Sequence, residues 1–172
     1  MPRRSMRSPG SSRRADRRAA PLACWHVSFT GALAEVESDA ESDMEWTIER
    51  APEGTFVVVR TRGRFDLDRH REMVEDILAQ AFWRPGTDVL FDHRALDFGA
   101  TGLTEMRMAQ STHQRFDERI GDGRAALLMG TQADFGVARQ FELLSEDRIS
   151  ARLRVFLNEA EAVQWLRLAR RP

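Results

Sequence analysis

The stretch VLFDHRALDFGATGL, Val89 to Leu103, governs how the rest of the chain is read. Val89, Leu90 and Phe91 open it without alternation, the pattern of a strand covered on both faces. Asp92, His93 and Arg94 follow at once, then Asp97 and two glycines, and beyond Leu103 apolar residues recur at helical spacing. On this reading a buried strand ends near His93, a loop runs from Asp92 to Gly102, and a helix starts at about Leu103. A strand buried on both faces needs covering elements on each side, so this connection argues for an α/β fold.

The flanking segments agree. MEWTIER (44–50) alternates Trp46 and Ile48 with polar neighbours, as a half-buried strand does. APEG (51–54) is a turn, and TFVVVRTR (55–62) is β-branched, a second strand and hairpin partner of the first. FDLDRHREMVEDILAQAFW (65–83) places Leu67, Val74, Ile77, Leu78 and Ala81 at helical spacing, with Asp66 or Asp68 as the cap and RPGT as the stop. LTEMRMAQSTHQRFDERI (103–120) reads as one helix with Met106, Ala109, His113, Phe116 and Ile120 on a stripe, ended by GDG. RAALLMG (124–130) is a further buried strand, and TQADFGVARQFELLSED (131–147) is a helix with Thr131 as N-cap and Asp134 three residues on. ARLRVFL (151–157) is the last strand. NEAEAVQWLRLARR (158–171) is the last helix, capped by Asn158, with Ala162, Trp165, Leu166 and Ala169 facing inward.

The order is therefore β-β-α-β-α-β-α-β-α. It implies a four- to five-stranded, mainly parallel sheet with an antiparallel edge strand, right-handed crossovers and helices packed on it. The domain is expected over residues 44–170. Residues 1–43 read differently: MPRRSMRSPGSSRRADRRAA has little to bury, and EVESDAESD is acidic. They are expected to be a disordered extension, or a start assigned too far upstream with Met44 as the natural one. PLACWHVSFTGALA after the arginines imitates a signal peptide but is a poor apolar segment.

Composition narrows the function classes. All 26 basic residues are arginine against 27 acidic ones, a formal net charge of −1, so no global field favours nucleic acid or an anionic membrane. The absence of lysine removes Schiff-base and P-loop lysine chemistry. The one cysteine, Cys24, has no partner for an internal disulfide, which fits a cytoplasmic setting, and no run approaches the ~18 apolar residues of a membrane span.

LFDHRALDFGATGL (90–103), FGVARQFE (135–142) and RVFLNEAEAVQWL (154–166) together resemble the STAS-like proteins, bacterial anti-sigma-factor antagonists among them, and more closely their SpoIIAA-like relatives. The resemblance spans about residues 45–167 and implies a STAS-like α/β fold and a regulatory, protein-interaction role. In the phosphorylated antagonists an Asp-Ser-Ser/Thr-Gly-Leu-like turn carries a phosphorylated serine. Aligned on TGL (101–103), that serine falls on Ala100 and the aspartate on Gly99, so the usual phosphorylation chemistry is absent. Thr101 keeps a hydroxyl one residue later and is expected to serve as an N-cap. The same relatives are similar in fold to lipid-binding CRAL-TRIO-like proteins, which implies an apolar pocket as a second possibility.

The residues themselves offer several candidates. Asp92, His93 and Arg94, with Asp97 and Thr101, sit at the carboxyl end of a strand, where ligands of parallel sheets bind. Arg94 would clamp an anion and His93 would act as acid or base; otherwise both are solvated. His113 lies on an apolar stripe, a core or pocket-wall position. His70, among charges, reads as surface. Arg139 lies between Phe135, Ala138 and Phe141 and would either point toward a ligand or snorkel. No G-x-S-x-G elbow occurs, Ser111 and Ser145 lie on helices, and the histidines show no metal-ligand spacing. GDGR and GTQADFG match no nucleotide motif. The expectation is a non-enzymatic interaction module without cofactor or metal, working through Asp92–Gly102 on an unidentified protein partner, with a homodimer compatible. The second reading is a small apolar or lipid-like ligand held by Met106, His113, Phe116 and Phe135. The third is an enzyme using His93 and Asp92.

Overall fold

A computed structural model describes residues 43–52 and 54–168. The expectations for residues 1–42, with Cys24 and His26, and for Ala169 lie outside the described residues. Five strands, β1 (Glu45–Arg50), β2 (Val57–Arg64), β3 (Val89–Asp97), β4 (Arg124–Leu128) and β5 (Arg152–Phe156), form one sheet in sequential order. β1 pairs antiparallel with β2, and all other pairs are parallel.

Among the described residues five helices accompany the sheet: α1 (Leu67–Ala79), α2 (Leu103–Arg115), α3 (Asp117–Ile120), α4 (Gln132–Ser145) and α5 (Glu159–Arg167). Strand alternation sorts the core into two layers. Val57, Val59, Val89, Phe91, Leu127 and Val155 face one way, against α1, α2 and α4. Leu90, Ala126, Leu128 and Phe156 face the other way, against Ala162 and Leu166 of α5. The unalternating apolar runs of β3 and β4 follow from this double cover.

Helix starts are set by side chains that satisfy free backbone N–H groups. Asp66 Oδ1 accepts from Arg69 N at 2.9 Å, Thr131 Oγ1 from Asp134 N at 3.1 Å, and Asn158 Oδ1 from Glu161 N at 3.2 Å. α2 differs. Its N-cap is Gly102, not Thr101, and Glu105 Oε2 reaches back to accept from Gly102 N at 3.0 Å. With no side chain on the cap, only this reciprocal half of a capping box forms, and it satisfies the cap's own N–H.

Other boundaries move. The first helix ends at Ala79, where Gln80 turns extended at φ −62°, ψ 133°, so Ala81 and Trp83 lie beyond it. The single helix expected over 103–120 breaks at Phe116, φ −103°, ψ 11°, giving α2 and the short α3. Beyond Arg115 the apolar spacing thins while Asp117 bonds the Ser150 amide and hydroxyl, at 2.6 and 2.7 Å, and fixes the new turn. Trp165 packs on the Phe156 side of the core as expected but is only half-buried, under Arg124, while Ala162 and Leu166 bury fully.

The largest departure concerns β3, which continues through Asp97 instead of ending near His93. β2 is long enough to pair with it to the end, Arg64 opposite Asp97. β4 stops opposite Asp92, so among the described residues the second half of β3 has β2 as its one paired strand.

Candidate functional site

The irregularity in β3 builds the site. Arg60 pairs with Asp92 and Arg62 with Ala95, so two β2 steps face three on β3, and His93–Arg94 together oppose Thr61. Such a bulge shifts the side-chain parity by one residue. Phe91 and His93 face the α1–α2–α4 layer before it, and Leu96 and Phe98 face the same layer after it. Gly130, just past β4, passes here: a Cβ on it would stand 2.8 Å from the Arg94 carbonyl oxygen. Only a glycine lets the backbone approach the bulge so closely.

The charges of the opening stretch therefore divide between two faces. Asp92 and Arg94 turn toward α5. Arg94 Nε and Nη2 bond Asp92 Oδ1 and Oδ2 at 2.8 and 2.7 Å, and Nη2 lies 3.0 Å from Glu159 on the first turn of α5. Hydrogen bonding from Arg94 holds the Asp92 carboxyl below its ordinary range, and the same contact raises the Arg94 guanidinium. The Arg94 fork is thus committed to carboxylates of its own chain. Asp97 ends the strand, its Oδ1 accepting from Gly99 N at 2.7 Å in a local turn. Thr101 follows in that turn, its amide bonded to the Phe98 carbonyl.

His93 is buried, not solvated, and its Nδ1 lies 2.7 Å from Thr61 Oγ1. It looks into an apolar cavity of about 50 Å³ between the sheet and the helices. His113 of α2 and His70 of α1 line the same cavity, and His70 Nε2 lies 3.2 Å from His113 Nε2. His70, read as surface in the sequence, is 9% exposed. Its neighbours in sequence are charged, but its stripe is 70, 73, 74 and 77, with Met73, Val74 and Ile77 all buried. That i, i+3, i+4, i+7 spacing was the available signal.

The rings sit among other rings. His70 packs on Phe65, His93 between Phe91 and Phe98, and His113 edge-on to Phe141. Burial pushes all three imidazoles toward the neutral form. His93 and His113 fall to about 4, and His70 falls well below its usual value, lowered further by the neighbouring His113 and His93. The nearby Asp92 opposes the fall at His93. Four methionines, Met44, Met73, Met106 and Met129, complete the polarizable part of the wall.

The structure thus brings together His93 and His113 of the sequence candidates and adds His70, Thr61 and the methionines. It puts Asp92 and Arg94 on the opposite face, so Asp92 and His93 form no acid–base couple. Met106 lines the cavity as expected, while Phe116 and Phe135 are half-buried outside its lining. Arg139 is ion-paired with Glu142, whose other oxygen accepts from Val155 N at 3.2 Å. It therefore supports a carboxylate that covers the outer edge of β5 and takes no part in the cavity lining. Ser145 Oγ is buried with no hydrogen-bond partner among the described residues, so none of these acts on it as a base. Among the described residues no group of three His, Cys, Asp or Glu side chains is placed to hold a metal, and no helix is long and apolar enough to cross a membrane.

No protein-family model matches the chain, and no curated protein matches it. Among solved structures, the chain is similar to an uncharacterized protein from the DUF3478 family with a SpoIIAA-like fold, from Shewanella loihica PV-4. The two are 17% identical with a TM-score of 0.48, over 72% of this chain and 93% of that one.

Proposed function

We propose that the domain, residues 44–170, is a non-enzymatic binding module for a small, largely apolar molecule carrying one or two hydrogen-bonding groups. The carrying observation is the cavity walled by aromatic, aliphatic and thioether groups into which three uncharged imidazoles converge. Ligand sites have that composition: apolar walls with a few fixed polar atoms. A neutral imidazole offers one donor and one acceptor, suiting a hydroxyl or carbonyl better than a full charge.

Size limits the occupant. At about 50 Å³ the cavity is well short of the ~150 Å³ that takes a benzene ring. Methionine repacks at low cost, and four of them line the cavity, so a single ring or short chain can be admitted by side-chain rotation. A long acyl chain would require separating α2 from the sheet.

Native mass spectrometry on protein purified from its own host, before and after denaturation, tests this reading. It is paired with a phenol titration read on the Met106 and Met129 methyl resonances. A mass released on denaturation, or saturable methyl shifts, is expected. Bare protein together with linear, non-saturating shifts would overturn the reading.

A second reading, a regulatory module that docks another protein beside the β3–α2 turn, has one observation in its favour. Leu103 and Met108 on α2 are 44% and 55% exposed, apolar surface that the fold itself does not use.

A further inference from the structure

We propose that His70, His113 and Met73 form a binding site for a soft monovalent metal ion, by chemistry Cu(I). The site shares the cavity of the proposed ligand but does not depend on it, because it rests on the facing imidazoles themselves.

The two Nε2 atoms stand 3.2 Å apart. With metal–nitrogen bonds of about 2.0 Å, that separation subtends an angle of roughly 105° at a shared ion, close to tetrahedral. Met73 lies one turn from His70 on α1, is 1% exposed and lines the same cavity. Residues three apart on a helix share a face, so its thioether belongs to the same patch as the His70 ring. Met106 lies two turns before His113 on α2, and Met44 and Met129 add further thioethers to the wall.

Charge and softness choose the ion. Among the described residues no carboxylate or thiol lines the cavity, so their donor set is uncharged. The cost of burying an ion rises with the square of its charge, which disfavours a divalent cation here. Thioether and imidazole donors together select Cu(I) over the hard cations Mg²⁺ and Ca²⁺. A hydrogen bond between the rings needs a proton on one Nε2, whereas shared ligation needs both protons on Nδ1, and this separates the two states experimentally.

The test is an anaerobic Cu(I) titration of the full-length chain carrying Cys24→Ser, which removes the chain's only thiol. Bathocuproine disulfonate competes for the ion, and the imidazole ¹⁵N resonances are followed. One equivalent should be retained, with the Nε2 signals of His70 and His113 moving together. Met73→Leu, which conserves volume, should weaken retention about tenfold or more with the unfolding midpoint held. Transfer of all Cu(I) to the chelator with unmoved Nε2 signals would overturn the proposal and leave an ordinary N–H···N bond. Retention indifferent to both Met73→Leu and His113→Gln would overturn it as well, since the ion would then lie elsewhere. Saturable phenol uptake in a sample that holds no Cu(I) would remove the metal site alone and keep the ligand reading.

Discussion

Thr61 Oγ1 and His93 Nδ1 lie 2.7 Å apart inside the core, joining β2 to the bulge of β3. The same hydroxyl lies 3.4 Å from the Asp92 carbonyl oxygen. Thr61 is 3% and His93 8% exposed, so water does not readily replace the contact.

Thr61→Val keeps the shape and removes the hydroxyl. The buried Nδ1 then loses its partner, which costs about 1–3 kcal/mol. Urea unfolding of the two proteins measures the difference. A loss below a few tenths would mean that the His93 ring is not held by Thr61.

The three histidines set a pH dependence. Their folded-state basicity lies below the unfolded value near 6.5 because burial disfavours the charged ring. In the unfolded chain they take up protons once the pH drops below about 6.5, while the folded chain resists until about 4 at His93 and His113. Unfolding therefore binds protons in that window, and stability falls as the pH is lowered through it. Each of these two rings contributes on the order of 3 kcal/mol between the limits. Unfolding free energies at pH 7.5, 6 and 5 should decrease in that order. A flat profile would mean that the rings are already charged or hydrated in the folded state.

Arg124, 8% exposed, lies on β4 and donates to the carbonyl oxygens of Trp165, Leu166 and Leu168 at the end of α5. The Trp165 oxygen also accepts from Leu168 N, while Leu166 and Leu168 lie where a helix end leaves carbonyls without an intrahelical donor, and a cation also suits the negative end of the helix. Arg124→Leu should cost about 2 kcal/mol, because the buried Leu166 carbonyl and the part-buried Leu168 carbonyl lose this donor. Hydrogen exchange should show the loss first in α5. Unchanged protection there would mean that Ala162 and Leu166 dock the helix without the cap.

Arg94→Ala tests the exposed face. Its side chain is 47% exposed, so the bonds to Asp92 and Glu159 are worth at most about 1 kcal/mol. The larger effect is expected on Asp92, whose carboxyl should titrate at higher pH once Arg94 no longer bonds it. Carbon-detected titration of Asp92 reads this directly. An unmoved midpoint would assign the depression to a different neighbour.

Local physics reached a long way. The apolar runs at Val89–Phe91 and Ala125–Met129, most of the helical stripes and the caps at Thr131 and Asn158 are statements about neighbours within a few residues, and the sequence determined them, while it left the first cap between Asp66 and Asp68. The α/β class and the order of elements, save for the split that makes α3, followed from these alone. The length of β3 did not, because its second half exists through pairing with β2, 33 residues upstream. Nor did the division of Asp92 and Arg94 from His93, since a bulge that changes parity depends on where two strands register. The histidine cavity needed most from tertiary structure. His70, His93 and His113 stand on three elements, and their neutral state follows from burial that only the packed sheet and helices supply.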